Sequence, residues 1–149
     1  MAVKTVPEGM AYTVERYGRY IKTLNPGLHV ITPFVDRIGF RVNMRERKVR
    51  VSFPDLKTKD NQKIIGDADV FVRVTNAHKV AYDNGDVDET LRLKCERAMI
   101  KLVKSMSFDE VMAGADNMDE KLLAAIKPHE AGWGLQIKYV DIHKIYQAG

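Results

Sequence analysis

Up to about residue 75, apolar and polar residues alternate in short runs divided by turn residues, the period-2 signature of half-buried strands. Met10–Arg16 follows Pro7-Glu8-Gly9, and Tyr17-Gly18-Arg19 is a tight connection into a second run over 20–24. Asn25-Pro26-Gly27 is the strongest turn signal in the chain, because Pro presets φ and Gly accepts φ > 0. A run over 28–31 follows, then one over 38–44 with Ile38, Phe40, Val42 and Met44 on one face. Val49, Val51 and Phe53 continue on the opposite phase, so a bulge or short turn is expected at 46–48. Lys59-Asp60-Asn61-Gln62 reads as a hairpin turn into a long strand over 63–74. In that strand Ile64, Ala68, Val70, Val72 and Val74 share a face that Gly66 interrupts, while Asp67, Asp69, Phe71 and Arg73 take the other. One dry and one wet side predict mostly antiparallel pairing.

Past residue 75 the period becomes helical. Asn76 is placed to cap a short helix through Tyr82, ended by Asp83-Asn84-Gly85. Asp86 with Glu89 forms a capping box for a helix reaching about residue 106. Its expected buried stripe is Leu91, Cys95, Ala98, Met99, Leu102 and Met106. Ser107 with Glu110, and Asn117 with Glu120, repeat the capping pattern and predict two more helices, the second from Met118. Pro128 predicts a break near 126–127, and Gly132-Trp133-Gly134 turns the chain into a last strand over 135–145. The expected class is α+β, a mostly antiparallel curved β-sheet packed by one long helix and shorter helices. It forms a single domain over 1–149: β-rich over 1–75, helical over 76–134, and closed by the final strand.

At 149 residues, 45% hydrophobic and 30% charged, the chain is long and apolar enough to bury a core. One cysteine excludes an intramolecular disulfide and a multi-thiolate zinc site. No uncharged run approaches the roughly 20 residues of a membrane-spanning helix. Positive charge is uneven: residues 1–75 hold 14 basic and 8 acidic side chains, residues 76–149 hold 10 and 12. The excess is densest in a stripe of Arg41, Arg45, Arg47, Lys48 and Arg50. A basic stripe of this kind suits nucleic acid or anionic lipid. It lacks the interleaved aromatics of a single-strand binder, so a basic-surface nucleic-acid-binding domain is the alternative reading rather than the leading one.

Signals of catalysis are missing from the sequence. His29, His78, His129 and His143 form no pair at helical ligand spacing, and Cys95 lies on the apolar stripe. The acids from Asp83 to Glu89 fail calcium-loop spacing and are explained by a turn and a cap. Asp67 and Asp69 project to one side without a companion acid, base or glycine-rich loop. The expectation is no enzyme, no metal and no cofactor.

One run is apolar where a turn-rich segment is usually wet: residues 26–35 carry no charge, and Arg37 with the basic stripe follows. It is either a core strand or an apolar tip beside cations, the combination an anionic membrane surface favours. The candidate lipid-facing residues are Leu28, Val30, Ile31, Phe34 and Arg37.

Ordered stretches give a further lead: Val6-Pro7-Glu8-Gly9, Val14-Glu15-Arg16-Tyr17-Gly18-Arg19-Tyr20, Thr23-Leu24-Asn25-Pro26-Gly27-Leu28-His29 and Pro33-Phe34-Val35-Asp36-Arg37-Ile38. Thr58-Lys59-Asp60-Asn61, Val72-Arg73-Val74, Ala81-Tyr82, Ser105-Met106-Ser107-Phe108-Asp109-Glu110 and Trp133-Gly134-Leu135-Gln136-Ile137 follow. Together, over about residues 5–145, they resemble the stomatin/prohibitin domain, also called Band 7 or SPFH, most of all its stomatin and bacterial stomatin-like branch. The sequence departs from that pattern at Gly66 and Asp69, where the family strand is usually aliphatic, at Ala115 in place of an Arg, and at Pro128 inside a usual helix.

The resemblance implies a non-enzymatic scaffold that organises membrane microdomains and modulates membrane proteases or channels. It also implies a homo-oligomer in the full-length context. Family members carry an N-terminal hydrophobic anchor and a C-terminal coiled coil. The expectation for this chain is therefore a core domain without either, soluble in isolation and peripheral at a membrane in its full-length setting.

Overall fold

The computed structural model describes residues 2–83 and 85–147. Eight strands and four α-helices follow in the order β1 Ala2–Val6, β2 Met10–Arg16, β3 Arg19–Leu24, β4 Gly27–Ile31, β5 Asp36–Asn43, β6 Arg47–Lys57, β7 Lys63–Val74, α1 Val87–Lys104, α2 Phe108–Ala113, α3 Ala115–Ile126, α4 Glu130–Trp133 and β8 Leu135–Gln147. All strand pairs are antiparallel, as the alternation predicts, and they divide into three sheets: β1-β4, β3-β2-β5 and β6-β7-β8. The phase switch at 46–48 is the place where the chain leaves one sheet for the next, because β5 pairs with β2 and β6 pairs with β7.

The main core lies between the even-numbered face of β7, the inward faces of β6 and β8, and the helices. Helix α1 starts where the Asp86 carboxylate accepts the Glu89 amide at 3.2 Å, and Ser107 caps α2 by accepting the Glu110 amide at 3.2 Å. The buried stripe of α1 is Val87, Leu91, Cys95, Met99 and Val103, a strict four-residue step. Ala98, Leu102 and Met106, expected within it, are only partly buried and lie beside it. Helix α3 begins at Ala115 after Gly114, with no side-chain cap, so the expected start at Met118 is three residues late. Pro128 does end it: a 3₁₀ turn over Lys127–His129 separates α3 from α4. Gly134, left-handed at φ 73°, releases the chain into β8.

A smaller core of Val6, Val14, Leu24 and Ile31 sits between the two N-terminal sheets. A π-helical turn over Lys79–Asp83 fastens this region to the rest. Its Tyr82 hydroxyl donates to Glu15 Oε2 at 2.7 Å and lies 3.0 Å from Thr13 Oγ1, which in turn accepts the Phe40 amide at 2.8 Å. Tyr82 also meets Phe40 edge-on, with ring centroids 5.0 Å apart, and the Tyr20 ring lies tilted against His78, centroids 4.2 Å apart. Gly39 leaves room for this junction, since a β-carbon there would sit 2.2 Å from Glu15 Oε2 and 2.8 Å from the Tyr82 hydroxyl. Gly39→Ala is expected to lower the melting temperature by several degrees. Combining it with Tyr82→Phe should cost less than the two separate losses added, because both remove one hydrogen bond. A thermal-denaturation double-mutant cycle checks this, and strict additivity would count against a shared junction.

Candidate membrane-facing surface

The β1-β4 pair forms a two-stranded sheet of its own, and its register decides which side chains face out. Val3 lies opposite Val30 and Thr5 opposite Leu28, so these four share a face. His29 and Ile31 alternate with them and turn the other way. Leu28 is 75% exposed, whereas Ile31 is 3% exposed and belongs to the small core. Ile31 therefore leaves the candidate lipid-facing set, and Val3, which no local signal marks, joins the exposed face because of its cross-strand partner. The cause is strand parity: one residue along the strand reverses the face.

Phe34 is fully exposed. It sits after Pro33 in the turn between β4 and β5 with φ 71°, a left-handed conformation that costs a non-glycine residue about 1–2 kcal/mol. Asp36 holds the turn closed. Its amide donates to the Thr32 carbonyl at 3.0 Å, and its Oδ2 accepts the Thr32 amide at 3.0 Å. Arg16 grips the same carboxylate with two bonds, Nε to Oδ1 at 2.7 Å and Nη2 to Oδ2 at 3.0 Å. The Arg16 guanidinium and then the Thr32 amide hold the Asp36 carboxyl down to about 2.

A second exposed aromatic stands beside the first. Tyr17 and Gly18 form the two-residue loop between β2 and β3, both with φ > 0, as a twisted hairpin requires. The Tyr17 amide donates to the Val35 carbonyl at 3.1 Å, so the two turns lie side by side, each carrying an exposed ring. Arg37, exposed and bonded to Glu15 Oε1 at 3.0 Å, stands next along β5. The Glu15 carboxyl is held below its usual range by the Tyr82 hydroxyl first and Arg37 second.

The basic stripe is not one cationic face. Arg41 lies over the Tyr12 ring at 5.2 Å, and Arg45 donates to the Glu8 carbonyl at 2.6 Å. Arg47 pairs with Asp88 at the start of α1. Lys48 and Arg50 both face Asp69, at 3.9 and 3.0 Å. Asp69 is buried although it lies on the outer face of β7, because Arg50, Lys48 and His143 cover it, with His143 Nε2 2.5 Å from Oδ2. Burial pushes its pKa up, but the bonds from His143 and Arg50 outweigh that and leave it below the ordinary value. This charge cluster explains the departure from an aliphatic residue at 69. The departure at 66 has its own partner: Gly66 lies opposite the Phe53 ring in the β6-β7 register.

Among the described residues, no group of three or more His, Cys, Asp or Glu is placed to hold a metal ion. Cys95 is buried in the core, where desolvation raises its thiol to about 12. No described helix is long and apolar enough to cross a membrane.

The chain matches the sequence profile of the SPFH domain / Band 7 family over residues 4–148. It belongs to that family. Among its relatives is the stomatin-like protein stl-1 of Caenorhabditis elegans, 29% identical over 140 residues that make up 94% of this chain and 43% of that protein. An uncharacterised protein of Methanocaldococcus jannaschii is 30% identical over 87% of this chain and 65% of its own length. The mitochondrial stomatin-like protein 2 of Rattus norvegicus is 26% identical over 95% of this chain and 40% of its own. This Band 7 chain thus spans about two fifths of the length of the stomatin-like proteins it matches.

Proposed function

We propose that this SPFH domain is the scaffolding and oligomerisation module of a stomatin-like protein. It lies peripherally on a lipid surface and carries out no covalent chemistry. In the full-length setting it organises membrane microdomains and modulates partners such as membrane proteases or channels. The observation that carries the lipid contact is the surface formed by Val3, Leu28, Val30 and Phe34, all exposed and apolar, with Tyr17 beside them and Arg37 next along the strand. Exposed apolar side chains grouped on one sheet face and the turn that follows it are the kind of patch that marks a contact surface. Here one is also held in a conformation that costs energy and is clamped by a buried carboxylate. An apolar tip with a tyrosine and a cation, Arg37, at its margin fits the layering of a headgroup region.

The test is sedimentation of the folded domain with vesicles of mixed phosphatidylserine and phosphatidylcholine. Burying a Leu or Phe side chain is worth about 1.5–3 kcal/mol, so Leu28→Ser with Phe34→Ser should cut partitioning by at least about 100-fold. Ile31→Ser should instead lower thermal stability, since Ile31 points into the small core. Partitioning that survives the Leu28/Phe34 pair would remove this surface from any membrane role.

A further inference from the structure

Helices α1 and α3 leave a hollow of about 480 Å³ between them, with Ala98, Leu102 and Ala125 among its lining and Lys94, Arg97 and Lys101 on the α1 side. The three cations recur at three- and four-residue steps, which puts them along one side of α1 over about 10 Å. No described carboxylate lies within ion-pair distance of any of them. Ala98 and Leu102 belong to the apolar pattern of α1, yet they are only partly buried at the edge of the core and also line this groove.

A segment of the opposite character occurs in the same chain. Residues 107–120 contain five acids and no Lys or Arg. On α2, Met112 is exposed, and Asp109 and Glu110 on the same helix are exposed with it, as is Glu120 on α3. Helix α2 is fixed against the β6-β7 turn: the Phe108 amide donates to Asp60 Oδ1 at 3.1 Å and the Lys59 amide to the Met106 carbonyl at 2.8 Å. Held there, α2 is available to the groove of another molecule and not to its own.

We propose that α2 of one copy seats in the α1-α3 groove of a second copy, Met112 against the apolar floor and Asp109 and Glu120 against Lys94, Arg97 and Lys101. Charge complementarity selects a second copy as the occupant, and the apolar centre inside a charged rim has the anatomy of a protein interface. The inference rests on the self-associating module proposed above and supplies the surfaces that association would use.

The test is sedimentation velocity in lipid-free buffer in a Leu28→Ser/Phe34→Ser background, which removes the apolar tip from the result. Lipid contact is read separately by vesicle sedimentation, so either reading can fail alone. The background protein should gain mass between about 10 µM and 1 mM and lose the gain in about 1 M salt. A groove-reversed variant (Lys94→Glu, Arg97→Glu, Lys101→Glu) and a helix-reversed variant (Asp109→Lys, Glu120→Lys) should each stay monomeric, with unchanged circular dichroism. Mixed one to one, they should associate again, since every contact between them joins opposite charges. A background protein that stays monomeric, reversed variants that associate alone, or a mixture that does not, each overturns the proposal. So does a groove reversal that weakens vesicle binding of the wild type but leaves its mass unchanged, which would give the groove to a lipid headgroup.

Discussion

Phe53→Ala is expected to lower the unfolding free energy by about 3–5 kcal/mol, among the largest effects of any single truncation in this domain. Phe53 is 1% exposed and stands opposite Gly66 in the β6-β7 register. Its register partner carries no side chain, so of the two facing positions only Phe53 contributes volume to the core. Truncation leaves two facing positions with almost no side-chain volume. The β6 bulge between Phe53 and Leu56, with Pro54 inside it, fixes the backbone next to the gap and limits collapse into it. A domain of this size is stable by about 5–15 kcal/mol, so the loss is a large fraction of the whole. Urea denaturation followed by circular dichroism should show the shift with little change in slope. Ile100→Ala, on the exposed side of α1, should stay within about 1 kcal/mol. Equal losses at the two positions would mean that the layer between β6 and α1 is not the core.

The residues behind that prediction show what sequence pattern can and cannot carry. Alternation in β7 placed its buried even face correctly, because a strand's period is fixed by backbone geometry alone. Asp86 and Ser107 start their helices as expected, and Pro128 ends one, since caps and breakers act within a few residues. What pattern could not supply is non-local. Val3 meets Val30 across 27 positions of chain, and only that pairing shows which parity of the uncharged run faces outward. Tyr82 reaches Glu15 from a π-helical turn whose extra residue per turn re-aims the side chain. Asp69 sits on the wet face of β7 but is sealed by three partners from β6 and β8, a burial visible only once the strands are neighbours. In α1 the helical period was clear, yet the stripe turned far enough to bury Val103 and leave Leu102 only partly buried, because the sheet below sets which flank is covered.

Acid should weaken this domain, and the N-terminal end should be affected through Asp36. The folded state holds Asp36 at about 2, against about 3.9 for an unfolded aspartate. A depressed carboxyl binds its proton more readily in the unfolded chain, so its stabilisation is complete above about pH 5. It then declines through pH 4 and is lost below about 2. Glu15, Asp60 and Asp69 are shifted in the same direction and add to the slope. Asp36→Asn keeps the shape of the side chain but loses the charge that Arg16 grips with two bonds. Its melting temperature should be lower than wild type at pH 7, fall less steeply between pH 5 and 2, and approach the wild-type curve at the acid end. The same variant should bind acidic vesicles several-fold less well at pH 7 with every apolar residue of the tip intact, because the clamp across the Phe34 turn is what holds that ring outward. Parallel pH curves for the two proteins would show that Asp36 is not the group responsible. Unchanged vesicle binding would show that the left-handed Phe34 turn persists without its carboxylate clamp.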